Sequence, residues 1–207
     1  MAEIHLQRFC ATESDTRAYM RVPFRRGDFV YATNGYVVAR VPACAMPDAA
    51  SLPDDQLPRL PAMFDCIDKA PPFLWVELPA VINAARCSRC RGAARLRVDA
   101  CESCDGEGAF DRDGFQYDCK ACDGEGFHES GAGAKSLDCP RCCGQGFDRA
   151  QWQDLDPGDG LPKVRVNAGY LAWLATLPSV VMAPQDPGGL VRFQFDGGHA
   201  LLLPVRS

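Results

Sequence analysis

Histidine and lysine are scarce in this chain, with three and four copies among 207 residues, and no apolar run is long enough to cross a bilayer. The longest such stretch, Leu171 to Ala183, is broken by Pro178 and falls short of the roughly 20 apolar residues a spanning helix needs. His5, His128 and His199 stand apart from one another, so each is read as a surface or turn residue. No nucleophile–base arrangement is recognisable, and the chain is expected not to be an enzyme. Positive charge is not in excess either: 22 Lys/Arg face 27 Asp/Glu, a formal −5, which argues against a protein that coats nucleic acid. Met1 to Arg8 carries charges and no apolar core, so a secretory signal is not expected there.

Cysteine, by contrast, is abundant, and eight of the 12 fall into one pattern, Cys-x-x-Cys-x-Gly-x-Gly. The four copies begin at Cys87/Cys90, Cys101/Cys104, Cys119/Cys122 and Cys139/Cys142; in the first, Ala94 stands at the second glycine position. Two thiolates three residues apart grip one metal from a tight turn, and two such turns complete a tetrahedral all-thiolate site. Glycine after the second cysteine permits a positive φ, which lets backbone amides curl towards sulfur. Eight cysteines therefore predict two zinc ions held by four sulfurs each, with no open position for catalysis. Dithiol redox chemistry is the rival reading, and the glycines and fourfold repetition favour metal. Cys10, Cys44 and Cys66 lack partner spacing and are read as core or surface thiols; Cys143 could exchange with Cys142 as a ligand, but the repeat register favours Cys142. Paired metal spacing without an export signal implies a reducing, cytoplasmic setting.

These four segments resemble the cysteine-rich zinc-finger domain of DnaJ-class co-chaperones, over about 60 of the 207 residues. The resemblance implies that the first repeat shares a zinc with the fourth, and the second with the third. Cys87, Cys90, Cys139 and Cys142 would then hold one ion, and Cys101, Cys104, Cys119 and Cys122 the other. No His-Pro-Asp tripeptide occurs, so stimulation of a chaperone ATPase is not implied. Residues 87–147 carry eight Lys/Arg and eleven Asp/Glu, a net −3 that eight thiolates and two zinc ions bring to about −7. The Gly106-Glu-Gly108 and Gly124-Glu-Gly126 turns are accordingly not phosphate loops.

The flanks supply the body. A short helix over 14–22 is expected, with Ser14 or Asp15 as cap and Pro23 as its end. Arg17, Arg21, Arg25 and Arg26 follow as a basic cluster, read as a solvated face against contact with DNA or an acidic partner. Asn34-Gly35 between two β-rich runs predicts a hairpin. Pro61–Ala70 reads as an amphipathic helix with Met63, Phe64 and Ile67 inward, and Phe73–Leu78 as a strand. Asp54-Asp55 reads as solvated. In the zinc region, Asp113-Gly114 between aromatics predicts a hairpin, and a similar connection around Gly131 and Gly133 joins the third and fourth repeats. Further on, Asn167 is placed to cap a helix bearing Tyr170, Leu171, Leu174 and Leu177, and Leu190–Phe195 and Ala200–Val205 read as strands joined by an Asp196-Gly197 turn. Neither flank carries enough elements for its own core, so 1–84 and 148–207 are expected to form one discontinuous α+β body, with 85–147 as a β-hairpin-rich, two-zinc insert.

Ala32-Thr-Asn-Gly-Tyr-Val-Val-Ala39 resembles a segment of bacterial DNA polymerase sliding clamps. So do Val166–Leu174 and the ending Leu203-Pro-Val-Arg-Ser. The resemblance implies β-α-β-β-β halves and a tail, here Pro204, Val205 and Arg206, lining a cleft for short linear peptides. One domain replaces the three of a clamp protomer, so a working clamp is not expected. Arginine outnumbers lysine 18 to 4, consistent with a bacterial or phage genome rich in GC. The expectation is a non-enzymatic protein-interaction module acting on replication or another host complex, with Phe110, Phe115 and Tyr117 as its partner surface. A co-chaperone-like binder of unfolded polypeptide and a nucleic-acid-binding zinc protein are the alternatives, the latter disfavoured by the acidic balance.

Overall fold

The computed structural model describes residues 5–13, 15–52, 60–68, 75–80, 83–156, 163–183 and 189–205. Ser14, Asp54, Asp55, Phe73, Leu74, Val81, residues 157–162, Arg206 and the side chain of Cys66 lie outside these residues. In chain order, helix α1 (Ala18–Arg21) precedes strands β1 (Phe24–Arg26), β2 (Phe29–Thr33) and β3 (Val37–Pro42), helix α2 (Leu60–Asp68) and β4 (Val76–Glu77). The cysteine-rich region holds β5 (Arg95–Ala100), β6 (Ala109–Arg112), β7 (Phe115–Asp118), β8 (Phe127–Glu129) and β9 (Lys135–Asp138). After it come β10 (Trp152–Leu155), β11 (Val164–Asn167), helix α3 (Ala168–Leu174), β12 (Val181–Ala183), β13 (Val191–Phe195) and β14 (Gly198–Leu202). The expected α+β set is thus weighted towards strand, with few and short helices and no closed barrel among the described residues. Two compact units emerge: Met1–Ala85 with Asp148–Ser207, and Arg86–Phe147.

The larger unit is built on a seven-stranded sheet in the order β1-β2-β3-β14-β13-β12-β4, antiparallel at every step. Period-two alternation assigns its faces. Tyr31, Val38 and Leu201 cluster with Phe24 and with Leu60 and Phe64 of α2, and Met63 and Ile67 pack against the edge of that cluster. The alternate positions Val30, Ala32, Val37, Ala39, Phe193, Ala200 and Leu202 are buried as well. Both faces of the central strands are therefore covered. Burial extends even to Arg40 and Arg192, each 2% exposed. Arg40 lies between the rings of Phe29 and Phe64, 4.4 and 4.2 Å from their centroids. Its guanidinium donates to the Asp68 carboxylate on α2, at 2.8 Å for Nη1. A cation is tolerated there because ring faces and a carboxylate replace the water it loses.

Local chemistry explains the turns. Asn34 Oδ1 accepts from the N–H groups of Tyr36 (3.0 Å) and Val37 (3.2 Å), which closes the β2–β3 hairpin while Gly35 takes φ +88°. Asn167 caps α3, accepting from Gly169 N–H at 2.9 Å and Tyr170 N–H at 3.3 Å. The early helix is a single turn rather than the longer segment over 14–22. Asp15 does not cap it; its carboxylate instead accepts from Arg17 N–H at 2.8 Å, two residues on, and from the Arg17 side chain. Such local side-chain bonding competes with helix propagation. The last strand ends at Leu202, before Pro204, and not at Val205.

The cysteine-rich unit has a three-stranded sheet, β8-β5-β9, and the separate β6–β7 hairpin. That hairpin turns at Asp113 (φ +53°) and Gly114 (φ +80°), a pair of left-handed residues suited to a two-residue turn. The connection through Gly131 and Gly133 is different in kind. Its flanking strands β8 and β9 do not pair with each other but add to opposite edges of β5. Alternation in Arg95-Leu96-Arg97-Val98 turns Leu96 and Val98 inward, where both are buried against cysteines.

Candidate metal centre

Each Cys-x-x-Cys forms a tight turn whose following residues bend back over the second sulfur. At the second repeat, Asp105 is left-handed (φ +50°) and Gly106 follows at φ +84°, so that Gly108 N–H donates to Cys104 Sγ at 3.2 Å. The third and fourth repeats repeat this bond, Gly126 N–H to Cys122 Sγ and Gly146 N–H to Cys142 Sγ, each at 3.2 Å. The second glycines are also needed for space. A Cβ on Gly108 would lie 2.3 Å from the Gly124 carbonyl oxygen, and one on Gly126 would lie 2.4 Å from that of Gly106. The other pair is looser, with a Cβ on Gly146 falling 2.9 Å from Gly92 O. It is in that pair that Ala94 stands, at φ +65°.

The turns face one another in two clusters, Cys87/Cys90/Cys139/Cys142 and Cys101/Cys104/Cys119/Cys122, the four sulfurs of each lying within 4.8 Å of one another and all buried. Backbone bonds fix the facing. Cys87 N–H donates to Gly146 O and Cys139 N–H to Ala94 O; Cys101 N–H donates to Gly126 O and Cys119 N–H to Gly108 O, at 2.8–2.9 Å. The first cluster, where the chain enters and leaves the unit beside the Arg86–Phe147 bridge, is called proximal here and the second distal.

Sulfur separations across the turns are 3.9 Å (Cys87–Cys139), 3.7 Å (Cys90–Cys142), 3.9 Å (Cys101–Cys119) and 3.8 Å (Cys104–Cys122). A disulfide would bring sulfurs to about 2.05 Å. A tetrahedron with metal–sulfur bonds of about 2.3 Å has edges of about 3.8 Å, so both clusters have the dimensions of a zinc tetrathiolate. Four crowded thiols cannot all ionise unaided. Burial pushes Cys87 up, but the N–H groups of Cys90 and Arg89 and the adjacent thiols outweigh it and bring it to about 7. Burial drives Cys142 up to about 12. A divalent cation among them would remove that conflict. Either cluster could hold a metal ion, and the donor set suits zinc.

One residue outside the repeat pattern ties the clusters together. Arg89, inside the first turn, donates to both oxygens of Glu125 at 2.6 Å and to Glu129 at 2.5 Å. The two carboxylates raise the Arg89 pKa, and Arg89 holds Glu125 below the usual carboxylate range. Nothing in the spacing of Arg89 marks it for this role.

The remaining candidates fall outside both clusters. Cys143 is exposed and donates to Pro140 O at 3.7 Å, and it is Cys142 whose sulfur joins the proximal cluster. Cys10 is buried in the body, its thiol pushed up to about 12 by that burial, and Cys44 is exposed. His5 and His128 are exposed; His199 is half-buried, and burial first, then Arg40, lowers its pKa. Of the early arginines, Arg17 is held by Asp15 and Arg25 Nε donates to Gly27 O at 3.3 Å. Phe110, Phe115 and Tyr117 are 45%, 67% and 54% exposed. In the body, an apolar cavity of about 170 Å³ is lined by Met20, Tyr36, Leu60, Met63, Leu190 and Leu203 among others. Leu203 is the tail residue that reaches it; Pro204 and Val205 are half-buried, and Val205 N–H is tethered to Arg165 O at 2.7 Å. Compared with known proteins, the chain matches no family model, no curated protein and no solved structure.

Proposed function

We propose that this chain is a non-enzymatic interaction protein in which a β-rich body carries a DnaJ-type arm, fixed by two zinc ions, for binding a protein partner. The observation that carries this reading is the β6–β7 hairpin, which holds three exposed aromatics beside a buried four-cysteine cluster. Four sulfurs satisfy a tetrahedral zinc completely, so the metal would serve structure rather than catalysis. The pairing of first with fourth and second with third repeats supports the DnaJ-type reading of the arm. The body is read as clamp-like, and its cavity beside Tyr36 and Leu203 supports a second contact for a short apolar peptide segment. An action on replication or on another host complex would follow from that second contact.

Removal of the arm is the decisive experiment. Ala85 O accepts from Asp148 N–H at 2.8 Å, so a short glycine-serine linker can replace residues 86–147 at one place on the body. Trp75, Trp152 and Trp173 all lie in the body, and their fluorescence during urea unfolding reports whether it still folds. The folded armless chain is expected to lose the proteins that the full chain captures from a bacterial extract. Equal capture by both would refute the arm as the partner surface. Protection of a denatured protein from aggregation by the full chain alone would favour the co-chaperone-like alternative.

A further inference from the structure

The charge of the arm is divided between its two halves. Residues 101–126 hold eight Asp/Glu against two Lys/Arg, a net −6, whereas 87–100 and 127–147 together hold six Lys/Arg against three Asp/Glu, a net +3. All eight distal acids are exposed. Arg89 occupies Glu125, Arg112 Nε lies 3.8 Å from Asp113 Oδ2 in an exposed pair, and a zinc tetrathiolate would add a further −2.

The hairpin register sorts side chains into two faces. Phe110 pairs with Tyr117 and Arg112 with Phe115, so these four share one face; Asp111, Gln116 and Asp118 share the other. Cross-strand pairing accounts for some of the aromatic content of such a ribbon. It does not account for Phe115, which at 67% exposure keeps most of its surface in water. An aromatic face set among acids has a definite preference. Ring faces carry negative quadrupoles that attract ammonium and guanidinium groups, and the surrounding carboxylates draw the same cations from farther away. The same carboxylates repel phosphate.

We infer that the aromatic face of the β6–β7 hairpin, with the acids around it, docks an arginine- or lysine-rich protein segment that also carries apolar side chains. The inference rests on the reading of the insert as a partner-binding arm and specifies the chemistry of the partner. Cations would settle over Phe115 and Tyr117, drawn there by the summed field of the distal acids, with Asp113 at the turn and Asp111 and Asp118 on the opposite face of the ribbon, while apolar residues cover the rest of the rings.

The test uses the full zinc-loaded chain and a fluorescein-labelled twelve-residue peptide of alternating arginine and leucine, followed by anisotropy. Control probes replace arginine by glutamate, replace leucine by serine, or substitute single-stranded DNA of twelve nucleotides. Two variants are compared, F115A with Y117A, and D111N with D113N and D118N; zinc content and tryptophan-monitored unfolding confirm that each is folded. The arginine–leucine peptide is expected to bind, to weaken at least tenfold with either variant, and to weaken as salt rises. The other three probes are expected to bind at least tenfold more weakly. Unchanged binding by both variants, or tighter binding of the glutamate peptide or the DNA, would overturn the inference. If removing the arm abolishes partner capture but the arginine–leucine peptide does not bind, the charge assignment falls and the arm reading stands. If capture survives removal of the arm, the arm reading itself falls.

Discussion

Replacing Cys104 with serine should empty one metal site and leave the other filled. The distal cluster contains its four cysteines and no other buried side chain, whereas the proximal one adds Leu96 and Val98. Those two contribute about 1.5–3 kcal/mol each when fully buried. A structural zinc contributes on the order of 10–16 kcal/mol, so without it residues 101–126 have nothing of comparable size to order them. The proximal site should suffer far less. Between Cys90 and Cys139 lie 48 residues, of which 26 remain free when 101–122 is held as a folded lobe. Losing the lobe roughly doubles the flexible closure, a cost of about 0.6 kcal/mol. Loss of the partly exposed Arg89 ion pairs adds about 0.2–1 kcal/mol each. Together these lower proximal zinc affinity by one or two powers of ten at most, against an affinity large enough to absorb it. Elemental analysis of the reduced C104S chain should therefore return one zinc where the parent returns two. Limited proteolysis should cut within 101–126 and spare the body. Two zinc ions in the variant would refute the ligand assignment, and loss of both would refute the independence of the clusters.

Three further outcomes are expected. Gly126→Ala should destabilise the distal lobe by about 1–3 kcal/mol, because φ is +78° and the new Cβ meets Gly106 O at 2.4 Å. Gly114→Ala, also at positive φ but with nothing within 4 Å, should cost only about 1 kcal/mol, and thermal zinc release followed with a chromogenic chelator ranks the two. In the body, Asn167→Ala removes two cap bonds and should lower stability by about 1–2 kcal/mol in tryptophan-monitored urea unfolding. Arg165 accounts for the lowered pKa of Asp154, to which it donates at 2.8 and 3.0 Å. A depressed folded-state pKa gives stability that is present above the ordinary value of 3.8 and lost as pH falls through the lowered one. The urea midpoint of D154N should thus lie below that of the parent at pH 6, and the gap should close as pH is lowered beneath 3.8.

Much of the body is legible because its signals are local. Asn34-Gly35, Asn167 and Asp196-Gly197 each act through bonds within a few residues, and the structure places turns or caps at all of them. What resists reading is set by distant partners. The strands β1 and β12 span three residues each, too short for any period to show. The sequence of β10, Trp-Gln-Asp-Leu, buries only Leu155, so no alternation marks it as a strand before β11 pairs with it. Arg40 and Arg192 signal exposure by type, yet both are buried in central strands, Arg40 by rings and a carboxylate that arrive from elsewhere in the chain. In the cysteine-rich unit, spacing picks out eight candidate ligands but not how they pair. Pairing depends on β5, whose Leu96 and Val98 alternate in plain sight, and on Arg89, whose carboxylates lie 36 and 40 residues away.

Net charge misleads for a related reason. Summed over 87–147 the arm is −3, a value that describes neither half. The six residues of β5 join the two clusters, and at about 3.3 Å each they separate them by roughly 20 Å. Screening in physiological salt acts over about 8 Å, so a ligand at one cluster barely feels the other. An approaching cation at the distal hairpin meets eight acids, one of them held by Arg89, and two bases, while one at the proximal turns meets six bases, Arg89 among them, and three acids. Averaging erases the contrast. Charge along such a segment has meaning only over lengths comparable to the screening distance, and at that scale β6 and β7 carry exposed rings on one face and acids on the other.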